Sequence, residues 1–210
     1  MMRIVFAFYL VFSLGACSMS TYKEPKVNGV SFVASRDSIF EKHVIPVLRI
    51  NANYAAVMPY GFIRSNEEPN IIYNTSRQWF GESKHGTEQY IRELSRHNIK
   101  IMMKPHLWIR GEFTGHMTMT SDKNWEQFKQ SYASFIMEYA ALAESTKTEI
   151  FCIGTELEAF IKYDSKYWLD LIKQIKSVYS GKLTYAANWD EYDKTPFWSE
   201  LDYIGIDAYF

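Results

Sequence analysis

Leu201-Asp202-Tyr203-Ile204-Gly205-Ile206-Asp207-Ala208-Tyr209-Phe210 is an apolar strand that runs straight into acidic and aromatic residues, with no covering helix and no polar tail. Residues 202–206 form the strand itself, and five earlier apolar runs resemble it, at 27–34, 54–58, 99–103, 149–154 and 182–187. Between them lie helical patterns. Ser35 and Asp37 are start signals for a stripe through Phe40, Val44, Val47 and Leu48, interrupted by Pro46. Thr87 opens a helix with Tyr90, Ile91 and Leu94 on one face, and Ser121/Asp122 open the clearest one, through Trp125, Phe128, Tyr132, Ile136, Tyr139 and Leu142. Ser165 caps a fourth with Trp168, Leu169, Ile172, Ile175 and Tyr179. The stretch 59–86 reads as a long functional loop holding Arg64, Tyr73, Arg77, Trp79 and Phe80. Strands apolar on both faces, alternating with helices, mean a parallel sheet covered by helices. A doubly wound sheet would close by position 210, whereas an eight-stranded barrel needs ~250 residues and two more units. The quoted ending favours an α/β fold of the (β/α)8 TIM-barrel type, truncated after strand six, with residues 27–210 as the partial barrel and its last edge exposed and prone to aggregate.

Composition narrows the partners. Twenty-three basic against 24 acidic side chains give a net charge of −1, so no nucleic-acid footprint is expected. At 47% hydrophobic and 22% charged the chain can bury a core. Six Trp, 15 Tyr and 14 Phe exceed what a core asks for, so some should face a ligand. Two cysteines, Cys17 and Cys152, exclude a disulfide scaffold and a Cys-rich metal site, and Cys152 reads as a small buried hydrophobe. No metal or other cofactor is called for, because the five histidines show no ligand spacing.

At the amino end, Arg3 precedes an apolar run over 4–14, too short for a stable span but right for a secretory signal. Leu14-Gly15-Ala16-Cys17 resembles the bacterial lipobox. The expectation is a lipoprotein signal peptide at 1–16, lipidation at Cys17 and a polar tether over 17–26, which would hold the protein to a membrane of the bacterial cell envelope, facing periplasm or exterior. An ordinary signal peptide with an accidental cysteine is the alternative.

In a parallel barrel the chemistry collects at the carboxyl ends of strands. Those positions hold Lys104-Pro105-His106-Leu107-Trp108, Gly154-Thr155-Glu156-Leu157-Glu158, Asn188-Trp189-Asp190-Glu191-Tyr192 and Asp207-Ala208-Tyr209. Glu156 should enter the mouth, where desolvation raises a carboxyl pKa towards what a general acid needs; a bare ion pair with Lys104 is the competing reading. Glu158 could share that face if the backbone stays extended. Trp108, Trp189, Tyr192 and Tyr209 offer flat apolar faces with polar tips on which a ligand could stack, and His106, Asn188 and Asp207 could anchor its polar groups. Trp125 and Trp168 belong to helical stripes and should be core. Lys104 should sit in the same site, salt-bridged to a barrel carboxylate rather than free as a Schiff-base amine.

Four segments then resemble a known family in order and spacing: Val27-Asn28-Gly29-Val30-Ser31-Phe32, Lys104-Pro105-His106-Leu107-Trp108, Phe151-Cys152-Ile153-Gly154-Thr155-Glu156-Leu157 and Tyr203-Ile204-Gly205-Ile206-Asp207-Ala208-Tyr209. They look like glycoside hydrolase family 113. The resemblance implies an eight-stranded barrel, retaining cleavage and β-1,4-mannanase activity on a polysaccharide or oligosaccharide, with Glu156 as the acid/base after strand four. It places the nucleophilic glutamate after a seventh strand that the 210 residues do not include. Thr155 stands where the wider clan usually has Asn. Retaining cleavage needs two carboxyl groups about 5 Å apart, so these residues alone are expected to be inactive unless Asp207 or Glu191 substitutes. A non-catalytic, carbohydrate-binding surface lipoprotein using the same cleft is the alternative.

Overall fold

The computed structural model describes residues 26–209; the expected signal peptide, Cys17 and all of the tether but Lys26 lie outside them. In chain order the elements are β1 (Gly29–Phe32), α1 (Glu41–Arg49), β2 (Tyr54–Val57), β3 (Tyr60–Ile63), α2 (Lys84–Arg96), β4 (Lys100–Met103) and β5 (His106–Ile109). They continue with α3 (Asp122–Ser145), β6 (Ile150–Thr155), α4 (Glu158–Tyr163), α5 (Ser165–Val178), β7 (Lys182–Asn188) and β8 (Tyr203–Asp207).

Six strands form one parallel sheet in the order β1-β2-β4-β6-β7-β8. Its interior strands are largely apolar because helices cover one face and barrel-lining side chains fill the other; Ile150 to Gly154 of β6 are all buried. The α3 stripe supplies the largest wedge, with Phe128, Phe135, Ile136 and Tyr139 removed from solvent. Trp168 of α5 is fully buried and Trp125 nearly so, both in the core.

The sheet is curled. Neighbouring strands lie roughly 4.8 Å apart, and β4 and β8 are separated by β6 and β7. On a flat sheet Lys104 could not reach Asp207, yet the Lys104 ammonium donates to Asp207 at 2.9 and 3.0 Å. The strand ends therefore converge on a concave face, as in part of a (β/α) barrel.

Two strands arise where a loop was expected. Residues 59–86 contain β3, and the stretch after β4 becomes β5, which pairs with β3 in parallel. Pro59 and Pro105 explain both. Each lacks an N–H and breaks the β2–β4 ladder, but Lys104 N–H still donates to the Val57 carbonyl and His106 N–H to that of Pro59. The pair simply resumes beyond the prolines, so His106 and Trp108 lie within a strand rather than in a loop. Helix starts also differ from the pattern. α1 begins at Glu41, while Ser35 and Asp37 form a turn bonded to Tyr90. Ser83 rather than Thr87 opens α2, its hydroxyl accepting from Gly86 N–H, and Asp164 rather than Ser165 caps α5.

Candidate active site

Glu156 follows β6 at a deliberate irregularity. The register with β7 shifts between Cys152 and Thr155, a bulge that re-aims what comes next. Gly154 has to be glycine there, since a Cβ would stand 2.8 Å from the Tyr132 hydroxyl and 3.0 Å from both Trp168 and Tyr185. Glu156 itself has φ +51, a left-handed conformation that disfavours a side-chain-bearing residue by roughly 1–2 kcal/mol. The turn is clamped on both sides. Glu156 N–H donates to the Ala186 carbonyl at 2.8 Å, and Leu157 N–H donates to the Tyr185 hydroxyl at 2.6 Å. That hydroxyl donates in turn to Glu191 Oε1 at 2.6 Å, while Glu191 Oε2 accepts from Asn188 N–H at 3.0 Å.

The electrostatics separate the carboxylates into roles. Burial raises the Glu156 pKa, the Asp207 carboxylate raises it further, and Lys104 only partly opposes them. Its Oε1 is buried and has no hydrogen-bond partner among the described residues. Asp207, by contrast, has both oxygens on the Lys104 ammonium. Burial lowers the Lys104 pKa, but the Cys152 sulfur and Asp207 more than offset it, so this amine stays charged. His106 is driven to about 4 by burial and by Lys104, and its buried Nε2 also lacks a partner. It is a neutral imidazole at neutral pH. Glu191 is raised by burial, but both its oxygens are spent on Tyr185 and the β7 backbone.

Lys104, His106, Glu156, Asp207 and Tyr209 are thus electrostatic neighbours at one end of the sheet. Tyr209 is 78% exposed at the rim. Asn188 ends β7, where its Oδ1 accepts from Trp189 N–H at 2.8 Å, and Trp189 is exposed beside it. Glu158 leaves the site: the backbone turns into α4, and its carboxylate pairs with Lys162 and Lys194. Trp108 lines an adjoining cleft of about 690 Å³ with Tyr60, Phe62 and Trp79. Tyr60 joins the two regions, its ring 5.5 Å from that of His106. Sequence reading missed Tyr60, Tyr185 and Glu191's clamping part; Pro59 and Pro105 read as strand breakers and so hid the β3–β5 pairing that brings Tyr60 alongside His106.

The family model described as Glycoside Hydrolase Family 113 matches residues 41–210. Among solved structures, the chain is similar to the GH113 beta-mannanase AaManA from Alicyclobacillus acidocaldarius in complex with ManMIm, with a TM-score of 0.79 and 21% identity over 88% of this chain and 61% of that one. A second, described as a complex structure of a GH113 beta-1,4-mannanase, gives 0.76 at 20% identity over 88% and 62%. The chain spans about three fifths of the length of these structures. Likeness at such identity speaks for the fold. No curated protein matches.

Proposed function

The chain belongs to glycoside hydrolase family 113, and from that membership we propose that it carries the proton-donating part of a retaining β-glycosidase acting on β-1,4-mannan-type chains. Glu156 carries the reading. A carboxyl group held at φ +51 by a bulge and a buried clamp, raised in pKa and with one oxygen unpartnered, suits a general acid that protonates a glycosidic oxygen and then, as its conjugate base, deprotonates water. His106 offers a neutral imidazole to a sugar hydroxyl, the Lys104–Asp207 pair fixes a second polar contact, and Tyr209, Trp189 and Asn188 rim the cleft.

Double displacement requires a second carboxylate to attack the anomeric carbon. Asp207 and Glu191 are poor candidates because their oxygens are engaged by Lys104, Tyr185 and the Asn188 N–H. The nucleophile in this proposal belongs to a further strand of a longer form, and residues 1–210 alone are inactive. Lipidation at Cys17, with anchoring in the cell envelope, completes the reading.

Hydrolysis of mannohexaose by a form extended past residue 210 tests it. Glu156→Gln should lower kcat/KM by roughly 10²–10⁴-fold, and much less for a 2,4-dinitrophenyl mannoside, whose leaving group needs no proton. Equal losses on both substrates would overturn the acid/base role. Robust hydrolysis by residues 1–210 that Asp207→Ala abolishes would overturn the nucleophile assignment.

A further inference from the structure

The cleft beside His106 is aromatic and unbalanced in charge. Tyr60, Phe62, Trp79 and Trp108 give it flat apolar walls, and Arg64 and Arg77 line it as well. Neither arginine has a carboxylate partner among the described residues, whereas Arg92 and Arg96 are paired with Glu88 and Glu93. Arg36 adds a third cation close by, its guanidinium 5.3 Å from the centre of the Trp79 ring. Against them stands one lining carboxylate, Glu82, with Oε2 already accepting from Trp79 N–H at 2.9 Å.

The walls are built in advance of any ligand. Phe62 and Ile72 exchange both backbone hydrogen bonds at 2.8 Å, tying the chain beyond Arg64 back onto β3. Gln78 donates to the Tyr60 carbonyl at 2.8 Å and accepts from Thr75 N–H at 2.9 Å, which fixes the turn carrying Arg77. Gly81 N–H donates to the Ser35 carbonyl at 2.9 Å, securing the segment after Trp79. Two guanidinium groups held on rigid backbone, next to rings suited to pyranose faces, match a sugar that bears a carboxylate, because a guanidinium recognises that group with two parallel hydrogen bonds. Both arginines are exposed, so a neutral hexose would leave them to water, whereas a carboxylate would pair with them.

We propose that this cleft is a subsite for an acidic sugar, so that the glycan bound by the protein carries a carboxylate-bearing unit beside the Glu156 site. The inference rests on the glycosidase reading and deepens it: it names a charged unit in the substrate.

Isothermal titration of the 210-residue chain with mannohexaose and with the same oligosaccharide oxidised at C6 to contain uronate units tests it. The expected result is about tenfold tighter binding of the oxidised ligand at low salt, equivalent to about 1.4 kcal/mol. In 1 M salt, where the screening length is about 3 Å, that preference should disappear. It should also fall below twofold in the Arg64→Gln/Arg77→Gln double variant but persist in Arg49→Gln, a change in the last turn of α1. Equal affinity for the two ligands, or a preference that survives the double variant, would overturn the acidic subsite and leave the glycosidase reading standing. Binding of neither ligand would overturn the acidic subsite too, while the glycosidase reading is decided by the Glu156→Gln comparison in the extended form.

Discussion

At the scale of single residues, the surroundings of Glu156 and His106 both displace the pKa towards the neutral form, and folding is linked to that with opposite signs. The Glu156 pKa is raised above its ordinary 4.5 by burial and by Asp207. A raised carboxyl contributes stability that is fully present below 4.5 and lost as pH rises through the folded value, since the buried anion is disfavoured. Glu156→Gln should therefore be more stable than wild type at neutral pH, with the margin in thermal midpoint shrinking to nothing towards pH 4. His106 runs the other way. Its pKa falls from 6.5 to about 4, so its contribution is complete above pH 6.5 and disappears as pH falls through 4, at most roughly 3 kcal/mol in all. His106→Gln should flatten the fall in stability between pH 6.5 and 4 measured by urea unfolding. The two slopes partly cancel in wild type over this window, and the single variants expose them. An unchanged slope in His106→Gln would mean that the imidazole is already solvated.

At the scale of elements, the bulge of β6 joins packing to chemistry. Tyr132, Trp168 and Tyr185 are fully buried and rigid around Gly154, so a methyl group at Gly154 cannot be met by moving a flexible tip. Gly154→Ala should cost about 1–3 kcal/mol in urea unfolding, the usual penalty of overpacking. It should also displace the Glu156 turn, because the Tyr185 ring that would have to shift carries the hydroxyl that accepts from Leu157 N–H. Why Glu156 could be read from sequence and its clamp could not follows from the same geometry. An acidic residue just beyond an apolar run, here separated from it by Thr155 alone, marks a strand end, and α3 declares itself by the three- and four-residue spacing from Trp125 to Tyr139. Tyr185, however, looks like any aromatic in a buried strand, and Glu191 like any acidic loop residue; only their 2.6 Å contact assigns them. β3 and β5 stayed hidden because Pro59 and Pro105 are strand breakers locally, while the ladder on either side of them depends on pairing between segments 46 residues apart. Six residues of α4 are too few to show a period.

At the scale of the whole molecule, the parallel sheet has two edges, β1 and β8, each hydrogen-bonded along one side among the described residues. Side chains alternate across a strand. Asp207 faces the concave side, where it meets Lys104, so Ile206 and Ile204 face the convex side on which helices cover the other strands. Nothing among the described residues covers them: Ile204 is 65% and Ile206 43% exposed, next to Tyr203 at 39%. An apolar strand with free N–H and C=O groups along one side is a template for pairing with a second chain. The net charge of −1 provides little long-range repulsion to oppose it. Residues 1–210 should self-associate in the micromolar range, seen as a mass by light scattering that grows with concentration. Ile204→Lys/Ile206→Lys should restore a monomer, because charges on an edge strand block pairing without touching the concave side that holds Glu156. Oligosaccharide binding should survive the double change. A wild-type chain that stays monomeric throughout that range would mean that β8 is shielded by something other than a neighbouring strand.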